Sequence, residues 1–454
     1  MRSIGGVILW GSLLLHAENM DALLDGFDDT PTQITPVTSN DLESASKTLF
    51  DEGEKDHNTT TEVSTSNLIS GVTGKLTEQF AYSYLGVKPH NNLTSVKSSL
   101  FLDYEHKFEN DWRIKTNFKA YYDAIYDFRD ATYSEDELAE RRSDFMLFDA
   151  YVQGSLVDTL DVKLGRQVVV WGRSDTIRIT DVLNPLDNRR PGMVDIEDLR
   201  LPVTMAKFDF FYGDWRFSPI AILEQRFTLN PPYGSDFNPQ TDPYLNENKP
   251  HNITYALSVG GEFSGWDINF YAANLYDDAG YLDQSRILHP KVNMLGTALN
   301  VLEGSWLFKM EMAYFDGLHF TSIQDQTFQR VDGLVGVEYN GIADTMISYD
   351  LSLRHFHRYD EGLLNELNPL EKDTYQHALR VSSDFMHETL TVNYLVSLYG
   401  QTMNKGGFQR AWIKYELDQG VNTNIGVVDY IGGSILFDTV KNNDMIFADI
   451  SYSF

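Results

Sequence analysis

From about Leu68 onward, apolar and polar residues of this 454-residue chain alternate with a period of two, in segments split by turn signals. DWRIKTNFKAYYDAIYDF, which starts at Asp111, is the clearest case. Trp112, Ile114, Phe118, Ala120, Tyr122, Ala124 and Tyr126 share one parity, and Arg113, Lys115, Asn117, Lys119, Asp123 and Asp127 the other. A strand this long exceeds the usual length of about 5–6 residues. It suits a tilted membrane strand that continues above the bilayer. The final segment, IFADISYSF, repeats the pattern: Ile446, Ala448, Ile450, Tyr452 and Phe454 lie on one face, Asp449, Ser451 and Ser453 on the other. It is expected to pair with a first strand near VTGKLTEQFAYSYL (72–85) and so close the sheet.

The connections alternate in length. Short turns fall at 109–112, 158–161, 213–215, 264–266, 303–306, 340–344, 387–389 and 418–420. Longer polar loops fall at 86–95, 128–143, 172–200, 227–251, 277–290, 317–328, 356–373, 401–406 and 431–442. Short turns at one end and long loops at the other predict an all-β, transmembrane antiparallel β-barrel of about 18 strands (16–18). Trp112, Trp215, Trp266 and Trp306 follow short turns, where an interfacial girdle would sit.

Composition changes the picture in two places. Mean hydropathy is −0.32, which on its face describes a soluble chain, yet aromatics make up 13% of it, with 25 Tyr and 27 Phe. A barrel hides its apolar content because every second residue faces the lumen, and Tyr suits its interfacial rims. No cysteine is present, which rules out disulfides and thiolate metal sites and suits export to an oxidising compartment. Residues 1–17 read as a secretory signal peptide, with Arg2, an apolar run from Val7 to Leu15 and small Ala17; the run is too short to span a bilayer. Residues 18–67 carry ten of the thirty excess negative charges. They are expected to form an acidic, mostly disordered periplasmic segment. Met20, Leu23, Leu24 and Phe27 give this segment one short amphipathic helix. The charge of a tail does not make the barrel, residues 68–454, a cation channel. The expected location is the bacterial outer membrane of a Gram-negative cell.

The most distinctive stretch is VKLGRQVVVWGRSDTIRITDVLNPLDNRRPGMVDIEDLR (162–200). Its GRQ…WGRSDTIR…DVLNPLD pattern resembles a proteobacterial outer-membrane β-barrel family built on a domain of unknown function, distantly similar to alginate-export-type porins. The resemblance implies the fold and the location and leaves the substrate open. Some such barrels are associated with periplasmic lipid-carrier-like proteins and large exporters, which would imply traffic of hydrophobic molecules.

The same stretch forms the third long loop, expected to fold inward and narrow the lumen. It is dense in both signs, with Arg173, Arg178, Arg189 and Arg190 against Asp175, Asp181 and Asp187 as the constriction set. Asn184-Pro185 and Arg190-Pro191-Gly192 supply the turns. Just before it, strict alternation would put Arg166 toward lipid, so a bulge at Gly165 is expected to turn it into the lumen. Polar parity then makes Arg113, Lys115, Lys119, Arg166, Lys207, Lys309, Arg354, Arg380 and Arg410 pore-lining, opposed by acids that include Asp123, Asp209, Glu311 and Asp350. Successive bases would offer a carboxylated solute weak sites along its path.

The dipeptide-spaced histidines of RHFHRYD, His355 and His357, share the lipid-facing parity of Leu351 and Leu353 and fit an interfacial belt better than a metal. Phosphate-loop, HExxH and GxSxG signatures do not occur, so no catalytic residue, metal or cofactor is expected. The expected function is a porin-like channel for small, anionic or hydrophobic, solutes. One alternative is a docking component of a lipid or hydrophobe export system, and a second is a barrel enzyme. Expected partners are outer-membrane lipid, the barrel-assembly machinery through the C-terminal Phe454, a small-molecule solute and a periplasmic carrier protein. Nucleic acid is not among them.

Overall fold

A computed structural model describes residues 71–85, 92–108, 111–128, 133, 135–191, 199–238, 240 and 245–454. The expected signal peptide and acidic segment lie outside the described residues. Among those described, eighteen strands form one closed sheet, each antiparallel to its neighbours in the chain. The first strand, Val72–Ser83, pairs with Leu93–Lys107 on one side and with the last strand, Met445–Ser453, on the other. In that closing register Lys75 stands opposite Ser453 and Ser83 opposite Met445. The ladder extends one pair further, because Gly74 and Phe454 exchange both backbone N–H···O bonds, at 2.8 and 2.9 Å. The Phe454 ring then lies across Gly74, where a Cβ would meet it at 2.3 Å.

The alternation maps onto two faces. Outward positions such as Phe145, Leu295, Met310, Met312, Val335 and Ile425 are more than half exposed, which makes a continuous apolar belt. Trp266 and Trp306 open their strands beside the short turns and pack on Phe263 and Tyr339 respectively, at the girdle position. The inward face is not uniformly polar. Met205, Ile220, Met294, Phe315, Leu395 and Phe408 are all buried there, in two apolar clusters that the inward loop completes.

Three expectations are corrected. The strand that begins at Arg113 ends at Asp123, and Ile125–Phe128 form a helical turn that buries Ile125 and Tyr126. Its alternation continues past the strand because one helical turn also separates buried from exposed side chains. The expected loop 317–328 is instead a tight hairpin, with strands Trp306–Phe320 and Ile323–Ile342 joined by Thr321 and Ser322. Polar Gln324, Asp325, Gln326 and Gln329 disguised it, but Phe320 packs edge-on against Phe328 and Phe356 and holds the extension upright. Finally, Gly165 makes no bulge. The register runs through Tyr151–Gly165 and Gly165–Met205 without a shift.

Barrel closure yields a test. Gly74→Val should push the Phe454 ring away and cost about 1–3 kcal/mol, as overpacking does. We expect a lower temperature for the heat-induced loss of folded-barrel mobility on gels. Phe454→Ala placed in the Gly74→Val background should then add little, since both changes act on one contact. Full additivity of the two would mean that the ring does not bear on Gly74.

Candidate channel and its inward loop

The loop leaves strand Leu160–Gln167 and returns at strand Val203–Tyr212. Asn184 ties its two stems together. Its Oδ1 accepts from the Val169 N–H at 2.9 Å, and its Nδ2 donates to the Leu201 carbonyl at 2.9 Å and the Gln167 carbonyl at 3.3 Å. Between those stems the chain crosses the barrel.

On one side the loop docks on the eleventh and thirteenth strands, Trp306–Phe320 and Thr345–His357. Glu311 accepts the backbone N–H groups of Arg173 (2.6 Å), Ser174 (2.8 Å) and Thr180 (3.3 Å), together with the Thr180 hydroxyl (2.8 Å). Gly172 allows that approach: its φ is +95°, and a Cβ there would lie 2.9 Å from the Glu311 carboxylate. Asp350 accepts the hydroxyls of Ser174 at 2.6 Å and Thr176 at 2.5 Å. Ion pairs flank this cradle, Arg173 to Asp267 at 2.5 Å and Asp175 to Lys309 at 2.7 Å. Trp171 stacks on Tyr271 with ring centres 4.6 Å apart.

On the other side, Arg190 donates to Ser95 Oγ (2.8 Å) and to Asp123 (2.6 Å), on the second and third strands. Arg189 pairs with Asp187 (2.7 Å) and Asp144 (3.1 Å), and Tyr430 donates to the Pro191 carbonyl. The second and eleventh strands stand nine apart in a ring of eighteen. The loop therefore spans the diameter of the lumen.

Each constriction residue now has a place. Arg173, Asp175, Arg189 and Arg190 grip the wall, whereas Arg178 and Asp181 pair with each other at 3.2 Å, and Arg200 adds a second bond to Asp181 at 2.9 Å. Asp187 fixes Arg189. Among the wall bases, Lys309, Arg380 and Arg410 are buried inward, Lys207 pairs with Asp209, and Arg354 reaches Asp332. Arg113 donates to Gln153, Lys115 sits 3.7 Å from Asp103, and Lys119 lies over the Phe148 ring. Arg166 departs from its expectation. It keeps the outward parity of exposed Leu164, at the end of its strand, where Glu224 (3.2 Å) and the Pro202 carbonyl hold it. Snorkelling from the rim removes the need for a bulge. His355, also on outward parity, binds Asp373 at 2.6 Å.

Glu311 and Asp350 were legible only as inward-facing acids. Their role depends on which loop groups they meet, and no pattern within a strand carries that.

A family model described as "Protein of unknown function (DUF1302)" matches residues 81–454. The chain belongs to the DUF1302 family. No curated protein matches it. Among solved structures, this DUF1302 barrel superimposes on OccAB3 of Acinetobacter baumannii with a TM-score of 0.51, at 10% identity, over 85% of this chain and 98% of that one. OccAB4 of the same organism gives 0.48 at 11% identity, over 86% and 100% of the two chains. An anion-selective porin from Comamonas acidovorans gives 0.42 at 9% identity, over 84% and 98%. The OccAB3 match shows a shared barrel fold.

Two of the loop's own carboxylates, Asp181 and Asp187, set the pH range of its internal pairing. Burial opposes the charge of Asp181, but Arg200 and Arg178 outweigh it and hold the carboxyl below the usual carboxylate range. Asp187 is also held low against burial, by Arg189. Carboxylates with depressed folded values contribute their full stabilisation above about pH 4 and lose it as pH falls through those values. The two pairings should therefore hold from about pH 7 to about pH 5 and loosen only below about pH 4, read as the titration of the Asp181 and Asp187 carboxyls by NMR. Titration of either carboxyl near pH 5 would contradict the pairing.

Glu311→Ala gives a second test, because it would orphan several buried loop donors at about 1–3 kcal/mol each. The loop should become accessible to protease while the barrel keeps its heat-modifiable mobility. Continued protection would show that Glu311 is not the anchor.

Proposed function

We propose that this DUF1302 barrel is an outer-membrane, non-enzymatic channel for small anionic or hydrophobic solutes, with residues 168–202 as its constriction. One observation carries the reading: a charged loop crosses the full diameter of the lumen and is fixed to opposite walls through Glu311 and Arg190. A barrel that served only as a scaffold would not need its lumen narrowed at mid-path by paired charges. The inward bases Arg380 and Arg410 support preference for an anionic group, whereas Lys309 is neutralised by Asp175 and Glu338.

Planar-bilayer recording of the purified protein tests this. Deletion of Asn184 to Gly192 should raise single-channel conductance several-fold while the barrel keeps its heat-modifiable mobility. A reversal potential in a salt gradient should show anion preference. Silence of both wild-type and deleted protein across a range of salts would overturn the channel reading. In that event, capture of a periplasmic carrier by the full chain but not by a chain lacking residues 18–66 would favour an export component instead.

A further inference from the structure

Between the inward loop and the long-loop end of the barrel lies a cavity of about 190 Å³. Its wall is part apolar and part charged, the apolar part formed by Ile177, Ile179 and Leu183 from the loop and Met294, Phe315 and Leu318 from the barrel. An engineered cavity of about 150 Å³ holds benzene, so this one takes a body on the order of ten non-hydrogen atoms. A purely apolar guest would leave the polar part of the wall unmet. Arg354 lines this space from the thirteenth strand, two strands from Phe315 and Leu318, and Arg226 lines it from the loop after the seventh.

The carboxylates of this wall are engaged with protein groups. Asp181 holds Arg178 and Arg200, Glu224 holds Arg166 and accepts from Thr204, Asp277 accepts from the Ala279 N–H, and Asp278 accepts from the Thr228 backbone and hydroxyl. Asp332 lies 3.0 Å from Arg330, and its other oxygen lies 3.5 Å from Arg354, beyond good hydrogen-bond distance. Arg226 donates to the Pro202 carbonyl at 2.7 Å. That bond, with Arg166 and Glu224 as neighbours, sets the Arg226 guanidinium toward the sixth strand and away from Arg354. Partly buried arginines beside an apolar wall present a planar, weakly hydrated cation suited to a carboxylate.

We infer that this cavity binds an amphipathic monocarboxylate, its apolar body against Met294, Phe315 and Leu318 and its carboxylate on Arg354. The inference rests on the channel reading and deepens it, since the bound acid would wait above the constriction in the path of a solute. Of the two solute classes proposed above, it selects molecules that are both anionic and apolar. Short carboxylates lack the body that fills the cavity, and alcohols and amines of equal length lack the anion.

Calorimetric titration of the detergent-solubilised full chain tests it, with octanoate, propionate, 1-octanol and octylamine as probes. Saturable binding of octanoate is expected, with each of the other three at least tenfold weaker. Arg354→Gln should bring octanoate down to the level of octanol, whereas Arg226→Gln should leave it unchanged. Met294→Trp should fill the cavity and abolish binding, and Leu370→Trp, which enters the same space from a loop, serves if the first does not insert. Equal binding of octanoate and octanol by the wild type, or octanoate binding untouched by the filling variant, overturns the inference. Anion-selective conductance without octanoate binding would sink the cavity proposal and leave the channel standing. Octanoate binding by a protein that never conducts would do the reverse.

Discussion

A sheet that faces lipid cannot leave an edge, because each unpaired backbone N–H or C=O there costs several kcal/mol. Everything else in this molecule follows from meeting that constraint with eighteen strands. The pairing of Val72–Ser83 with Met445–Ser453 removes both edges at once, and Phe454 extends it by one more reciprocal pair over Gly74. Closure fixes which residues point inward, and with eighteen strands it encloses a space too wide for wall side chains alone to fill. The chain fills that space with its own third long loop.

The loop is held by two different kinds of force, and they do different work. Apolar contacts give most of the adhesion: Trp171, Ile177 and Leu183 join one wall cluster, and Leu186 and Leu199 join another that includes Phe408, Trp412 and Phe447. The charges fix position. Buried ion pairs contribute little net stability, but a charge stripped of its partner is expensive, so a displaced or slipped loop is penalised at each of Glu311, Asp267, Asp144 and Asp123. The result is one well-defined crossing of the lumen in place of a loose plug.

Much of this could be read from the residues. Period-two alternation, the two classes of connection and the final aromatic strand together specify the barrel, its closing pair and its strand number to within two. Charge density and the Asn184-Pro185 turn marked the loop that enters the lumen. Other features escaped for physical reasons. Parity alone cannot separate an apolar residue facing lipid from one facing an apolar loop inside, so Met205 and Ile220 gave no sign of the internal core. Nor can it detect a hairpin whose exposed face is polar, as at Gln324 and Gln326, or a strand that ends in a helical turn at Ile125. Arg166 shows the opposite limit. A rule about the cost of charge in lipid applies at mid-depth, and the residue sits at the rim with Glu224 beside it.

The geometry also assigns different mechanical roles to the two docking sides. On the Glu311 side, three of the four bonds that Glu311 accepts come from the loop's own backbone N–H groups, which follow from loop conformation and do not depend on side-chain identity. On the Arg190 side, they come largely from two long guanidinium side chains reaching Ser95, Asp123 and Asp144. A long side chain can change rotamer and release its partner while the backbone keeps its path, whereas the backbone cradle can open only if the loop itself refolds. The crossing segment is therefore fixed by its own backbone conformation at Glu311 and by side-chain reach at Arg189 and Arg190, where fully buried Asp123 makes loss of the partner costly.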